Sequence, residues 1–172
     1  RPRAREAFIS AAGIAHAVER TVALSLSDPF CVDRHRNDFV ELVDHHIDVL
    51  FANEDEIVSL YQVQSFDEAL QRVRHHCDIA ALTGSAKGAV VVAGDEVHVI
   101  DAAPVASVVD TTGAGDAFAA GFLFGLTHGL ELAACARIGS IAAAEAISHL
   151  GARPETPLAD LVRHALLGGG TR

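Results

Sequence analysis

The sequence predicts an α/β protein with a mostly parallel sheet, and three features carry that expectation. Short, nearly all-apolar runs alternate with stretches of helical period through the first eighty residues. Gly94-Asp95-Glu96, set between two β-branched runs, marks one hairpin. From Gly113 onward the pattern is helical, which places helices on the faces of a sheet.

Taken in order, residues 4–19 are alanine-rich and predict a helix with Phe8, Ala11, Ala12, Ala15 and Val18 on its inward stripe. Thr21–Leu26 reads as a strand stopped by Ser27-Asp28-Pro29, and 34–46 as a helix with Phe39, Leu42 and Val43 inward. Asp48–Ala52 has the apolar continuity of a strand covered on both faces. Asn53 caps a helix through Tyr61, and Ser65 caps another from Asp67 to about His76, with Glu68 completing a capping box. Ile79–Leu82 is a further buried strand, and Ala89–Ala93 and Val97–Ile100 form the hairpin. An extended segment ends at Val109; helices follow over Gly113–His128, Glu131–His149 and Pro157–Leu167, and Gly168-Gly169-Gly170 reads as a frayed tail. No repeat or linker interrupts the chain, so 1–172 is expected to be a single unit.

The composition narrows the function. The 172 residues carry 13 Lys+Arg against 23 Asp+Glu, a formal net charge of −10, with one lysine, Lys87. Such a surface argues against sequence-independent binding to nucleic acid or an anionic membrane. Half the residues are apolar and mean hydropathy is +0.28, enough to build a core. The longest apolar run, residues 117–127, falls well short of the ~20 residues of a membrane-spanning helix. Three widely spaced cysteines, Cys31, Cys77 and Cys135, without a C-x-x-C pair, suit a reduced cytoplasmic setting, each as a small buried apolar group. The absence of methionine leads to the expectation that the chain is a fragment.

The chemistry concentrates in Asp110-Thr111-Thr112-Gly113-Ala114-Gly115-Asp116. An extended run feeds a Gly-Ala-Gly turn that opens directly into a helix. The unpaired first amides of that helix, at the positive end of its dipole, suit a phosphate oxygen. A carboxylate there repels the anion, so Asp116 makes chemical sense as the base that accepts the proton of an attacking hydroxyl. Taken alone, Asp116 reads first as a complement to the dipole, and the surrounding D-T-T-G-A-G-D run turns that reading to the base. A P-loop needs Gly-Lys before Ser or Thr, and Lys87 follows Ala86; the dinucleotide fingerprint needs glycine where Phe118 stands. Gly121 and Gly125, four apart on the same helix, suit close helix packing. The pairs His45-His46 and His75-His76 point about 100° apart on a helix and read as polar helix-end residues rather than metal ligands.

These residues resemble the D-T-x-G-A-G-D signature of the ribokinase-like (PfkB) carbohydrate and nucleoside kinases. Asn53-Glu54-Asp55-Glu56 resembles the family's N-x-x-E motif, and Thr83-Gly84-Ser85-Ala86-Lys87-Gly88 its T-x-G-x-x-G nucleotide loop, with serine for the middle glycine. Ile147–Ala152 resembles the end of the nucleotide-site helix, and Leu26–Arg36 is most similar to bacterial adenosine-kinase-type members.

The resemblance implies a Rossmann-like ribokinase fold, here its C-terminal portion without the lid and first strands. It implies ATP-dependent phosphoryl transfer to a hydroxyl of a nucleoside or sugar. Asp116 would be the catalytic base, and Gly113, Ala114 and Gly115 the anion hole, joined by the Asp116 amide. Thr83, Ser85, Gly88 and Thr112 would bind the nucleotide, with Ser140 where many members carry an adenine-pocket asparagine. Asn53 and Glu56 would act on Mg²⁺ through water. By themselves they read as an N-cap and a solvated face. Asp110 would stand near a monovalent cation, K⁺, or simply support the turn. The expected partners are a nucleotide and a small acceptor. The alternatives are a nucleotide-binding module without turnover, or one half of a homo-oligomer or of an assembly completed by a missing N-terminal half.

Overall fold

The computed structural model describes residues 2–168, so Gly169 and Gly170 of the expected tail lie outside the described residues. The described chain falls into two compact units. One holds the residues up to 84 together with 90–97, and the other holds 85–89 and the residues from 98 onward.

The first unit is built on the parallel strands β1 (Ala23–Ser25), β2 (Val49–Asn53) and β3 (Ile79–Thr83). Ala23 pairs with Val49, and Val49 in turn with Ile79. The hairpin strands β4 (Ala89–Ala93) and β5 (Glu96–Ile100) follow, giving the order β1-β2-β3-β4-β5; their outer residues are counted with the second unit. In β2, Val49, Leu50, Phe51 and Ala52 are all buried, as an internal parallel strand requires. The core gathers Leu50, Ala52, Ala80 and Leu82 from the strands with Val43, Ile57, Leu60 and Val73 from the helices.

Helix α1 (Pro2–His16) corrects the expected stripe. Ala12 is buried, but Phe8 is 56% and Val18 61% exposed, and Val18 lies past the helix end. An alanine-rich helix carries too little apolar contrast to fix its inward face. Arg5 instead ties α1 by ion pairs to Asp38, at 3.2 Å, and to Glu41. The expected helix over 34–46 is present as α3 (Arg36–His45), with Leu42 and Val43 buried, and a short helix that was not expected, α2 (Pro29–Arg34), precedes it. Asp28 and Pro29, which stop the preceding strand, also start α2. The Asp28 side chain accepts from Phe30 N at 2.9 Å, and proline occupies the first turn.

Helix α4 (Glu54–Tyr61) follows β2 directly. Helix α5 (Phe66–Val73) ends earlier than expected, and His75 then takes a left-handed φ of 65°. Ser65 caps α5, but Glu68 Oε2 accepts from Gln64 N rather than from the cap residue, so no reciprocal box forms.

In the second unit, α6 (Ala114–Thr127) packs on α7 (Leu132–Ala146), followed by α8 (Leu158–Gly168). Contact between α6 and α7 is at backbone distance. A Cβ on Gly121 would meet Ile138 O at 2.8 Å, and one on Gly125 would meet Cys135 Sγ at 2.9 Å. Phe118 and Phe122 stack with centroids 6.3 Å apart and fill the rest of that seam. Residues 101–111 form no strand, although Val109 N donates to Ile147 O at 2.8 Å. Of the cysteines, Cys135 is buried and Cys77 half-buried, but Cys31 is exposed on the outer side of α2, contrary to expectation. Among the described residues, no helix is long and apolar enough to cross a membrane.

Candidate active site

The glycine-bounded elbow lies wholly within the second unit. Asp110 organises it: Oδ1 accepts from Thr112 N at 2.9 Å and Oδ2 from Gly151 N at 3.0 Å. These amides, Gly151 first, hold the Asp110 carboxyl down to about 2. Gly113 then takes φ +80° and caps α6. This left-handed turn is one that only glycine adopts freely, and it aims the following amides outward along the start of the helix.

The amides differ in their partners. Thr112 N is taken by Asp110, and Ala114 N donates to Thr111 O at 3.2 Å. Among the described residues, no acceptor is found for the amides of Gly113, Gly115 and Asp116, and the first regular helical bond runs from Ala117 N to Gly113 O at 2.8 Å. Asp116, in the first turn, is exposed, and its carboxylate has no partner among the described residues. The expected anion hole therefore comprises three unengaged donors and one loosely engaged donor beside an open carboxylate.

The same unit holds the turn from Ser85 to Gly88. Ser85 O accepts from Gly88 N at 3.1 Å. Ser85 stands at φ +54°, so the serine occupies a backbone conformation that its motif fills with glycine. Gly88 is buried, and a Cβ there would fall 2.0 Å from Ile100 O. Ser140 is buried on α7, with only 9% of its surface exposed.

In the first unit, Asn53 and Thr83 are register partners at the carboxyl ends of β2 and β3, the end of a parallel sheet where ligands bind. Asn53 and Glu56 engage each other. Asn53 Oδ1 accepts from Glu56 N at 2.8 Å, Glu56 Oε2 from Asn53 N at 2.9 Å, and Glu56 Oε1 from Asn53 Nδ2 at 2.9 Å. The first two bonds make a capping box, so Asn53 is an N-cap. Glu56 is not on a solvated face: it is only 5% exposed, and burial pushes its carboxyl above the ordinary range.

His45 and His46 lie at the end of α3, and His75 and His76 in the turn beyond α5, outside the helix expected to reach them. His76 Nδ1 is 2.7 Å from Asp44 and His16 Nε2 is 3.0 Å from Asp48. These groups line a cavity of about 510 Å³ at the amino ends of β2 and β3. Cys77 also lines it, its thiol pushed by burial up to about 12 and so chemically quiet. Among the described residues, no group of three or more His, Cys, Asp or Glu is arranged to hold a metal.

One polar residue escaped the sequence analysis. Glu145, buried on α7, accepts from Glu155 N at 2.8 Å and Thr156 N at 2.7 Å through Oε1, and lies 3.2 Å from His149 Nε2 through Oε2. Burial pushes its carboxyl up, but these partners outweigh it and hold it below the ordinary range. The available signal was a lone acid in the alanine run 142–146, which has no reason to be there unless it is partnered.

Comparison with known proteins bears on the family and the fold. Residues 3–159 match the pfkB family carbohydrate kinase profile. A probable sugar kinase from Rhizobium etli CFN 42 superposes with a TM-score of 0.92 at 45% identity, over 95% of this chain and 50% of its own. An adenosine kinase from Sinorhizobium meliloti gives 0.91 at 46% identity, over 94% and 50%. An aminoimidazole riboside kinase from Salmonella enterica, complexed with aminoimidazole riboside and an ATP analog, gives 0.81 at 25% identity, over 95% and 58%. The chain thus spans about half the length of the relatives it matches.

Proposed function

The chain belongs to the pfkB family of carbohydrate kinases, and on that premise we propose that it carries the nucleotide-binding and catalytic part of an ATP-dependent kinase acting on a hydroxyl of a nucleoside or sugar. One observation carries the proposal: three unengaged amides at Gly113, Gly115 and Asp116 open beside the exposed Asp116 carboxylate. The amides and the helix dipole stabilise charge on the transferring phosphoryl group. Asp116 takes the proton of the acceptor hydroxyl as its oxygen attacks phosphorus and the bond to ADP breaks. The Ala114 amide, already bonded at 3.2 Å, is the weakest of the four donors.

Thr83, Ser85, Gly88, Thr112 and Ser140 are assigned to the nucleotide. Asn53 and Glu56 fit an indirect role at Mg²⁺. Each Glu56 oxygen already accepts an Asn53 N–H and keeps one lone pair for a water. Mg²⁺, when bound, neutralises phosphate charge. Asp110, anionic above about pH 2, fits a nearby K⁺, and support of the turn fits the same geometry. An adenosine-type acceptor is favoured by the likeness to the Sinorhizobium enzyme and a sugar by that to the Rhizobium one. The ATP analog in the Salmonella enzyme supports ATP as donor.

The half-length span favours a second outcome, nucleotide binding without turnover. Calorimetry with ATP and Mg²⁺ and a coupled ADP-release assay on the 172-residue protein separate the two. Binding with acceptor-dependent ADP release supports the kinase, binding alone supports the module, and neither contradicts both.

A further inference from the structure

We infer that Glu145 is a positioning residue for the 112–116 elbow, acting through the loop that follows α7; the inference rests on the function proposed for that elbow. The connection can be followed bond by bond within the second unit. Glu145 Oε1 holds the amides of Glu155 and Thr156, and Oε2 holds His149. These contacts fasten both ends of the loop 149–156, which has no regular secondary structure of its own.

The middle of that loop meets the elbow. Gly151 N donates to Asp110 Oδ2, and Asp110 Oδ1 accepts from Thr112 N. Ala152 sits so close to Gly113 that a Cβ there would lie 2.5 Å from the Ala152 Cβ. Asp110 and Gly113 are therefore held by the two consecutive residues Gly151 and Ala152, whose own position depends on the clamp at Glu145. Two amides on one oxygen plus an imidazole on the other is a charge-assisted set, stronger than neutral bonds and expensive to break when buried. Glu145 touches no residue assigned to the phosphoryl group, so its effect reaches the site only through the loop.

The test uses the 172-residue protein with Glu145→Gln and Glu145→Ala, followed by amide-resolved hydrogen exchange. Glutamine keeps the shape and an acceptor oxygen, so it stays folded if alanine does not. Exchange at Gly151, Glu155, Thr156 and Thr112 is expected to speed up about tenfold in Glu145→Gln, while Ala142 and other α7 amides hold their rates. Ile138→Val, a conservative core change in α7, serves as the control and leaves Thr112 and Gly151 unmoved. ATP–Mg²⁺ affinity falls in parallel in the Glu145 variants, and Glu145→Asp recovers part of it. Unchanged exchange at Thr112 and Gly151 while Glu155 and Thr156 speed up would overturn the inference. If the parent protein binds no nucleotide, the proposed function fails, and the exchange pattern still decides the role of Glu145.

Discussion

A Cβ placed on Gly113 would stand 2.5 Å from the Cβ of Ala152, and the Gly113 backbone sits at φ +80°. Both facts oppose any side chain there. Gly113→Ala is therefore expected to lower stability by about 1–2 kcal/mol from backbone strain alone, with the contact added. Gly115, two residues on, has open space around its Cβ direction and no positive φ. Gly115→Ala is expected to leave the melting temperature near that of the parent while weakening nucleotide binding. Equal melting temperatures for Gly113→Ala and the parent would contradict the close contact.

The seam between α6 and α7 gives a second prediction. Gly121→Ala drives a methyl against Ile138 O and the Gly139 backbone, which cannot rotate away. Overpacking of this kind costs about 1–3 kcal/mol. Thermal melts should show the loss, and a neutral Gly121→Ala would mean that the helices lie further apart than described.

Glu56 sets a dependence on pH. Burial raises its folded-state value, so its contribution to stability is full below the unfolded value of about 4.3 and declines as pH rises through the raised folded value. Glu56→Gln keeps the side-chain acceptor for the Asn53 amide without the charge. Melting temperatures between pH 4 and 8 should fall less steeply for Glu56→Gln than for the parent. Parallel curves would rule out a buried, ionising Glu56.

Asp110 behaves in the opposite sense. Its folded value, held down to about 2, means that its contribution is present above the unfolded value of about 3.9 and is lost as pH falls toward 2. Asp110→Asn should therefore remove part of the acid limb of the stability curve. An unchanged acid limb would mean that the bonds from Gly151 and Thr112 do not persist in solution.

Much of this was legible in the sequence where local rules dominate. The apolar run of β2, the Asn53 cap, the hairpin turn and the packing glycines Gly121 and Gly125 each follow from short-range pattern, and the structure has them. The inward face of α1 was not legible, because an alanine-rich helix gives little apolar contrast and only Ala12 of the expected stripe is buried. Helix α2 was missed because Asp28-Pro29 ends a strand and begins a helix with the same residues. At the site, Asp116 and its amides belong to one contiguous motif and could be read directly. The burial of Glu56 depends on the core beneath it, and the clamp at Glu145 on the Glu155 and Thr156 amides ten and eleven residues away, so nearby spacing shows only the His149 contact.

The central claim is that the amides of Gly113, Gly115 and Asp116 receive a phosphoryl oxygen beside the Asp116 carboxylate. Titrating the ¹⁵N-labelled protein with ATP and Mg²⁺ tests it directly, in the parent and in Asp116→Ala. The account predicts that these three amide resonances move and saturate together, and that Asp116→Ala binds at least as tightly as the parent because a repelling charge is gone. Saturable binding that leaves residues 113–116 unmoved would contradict it.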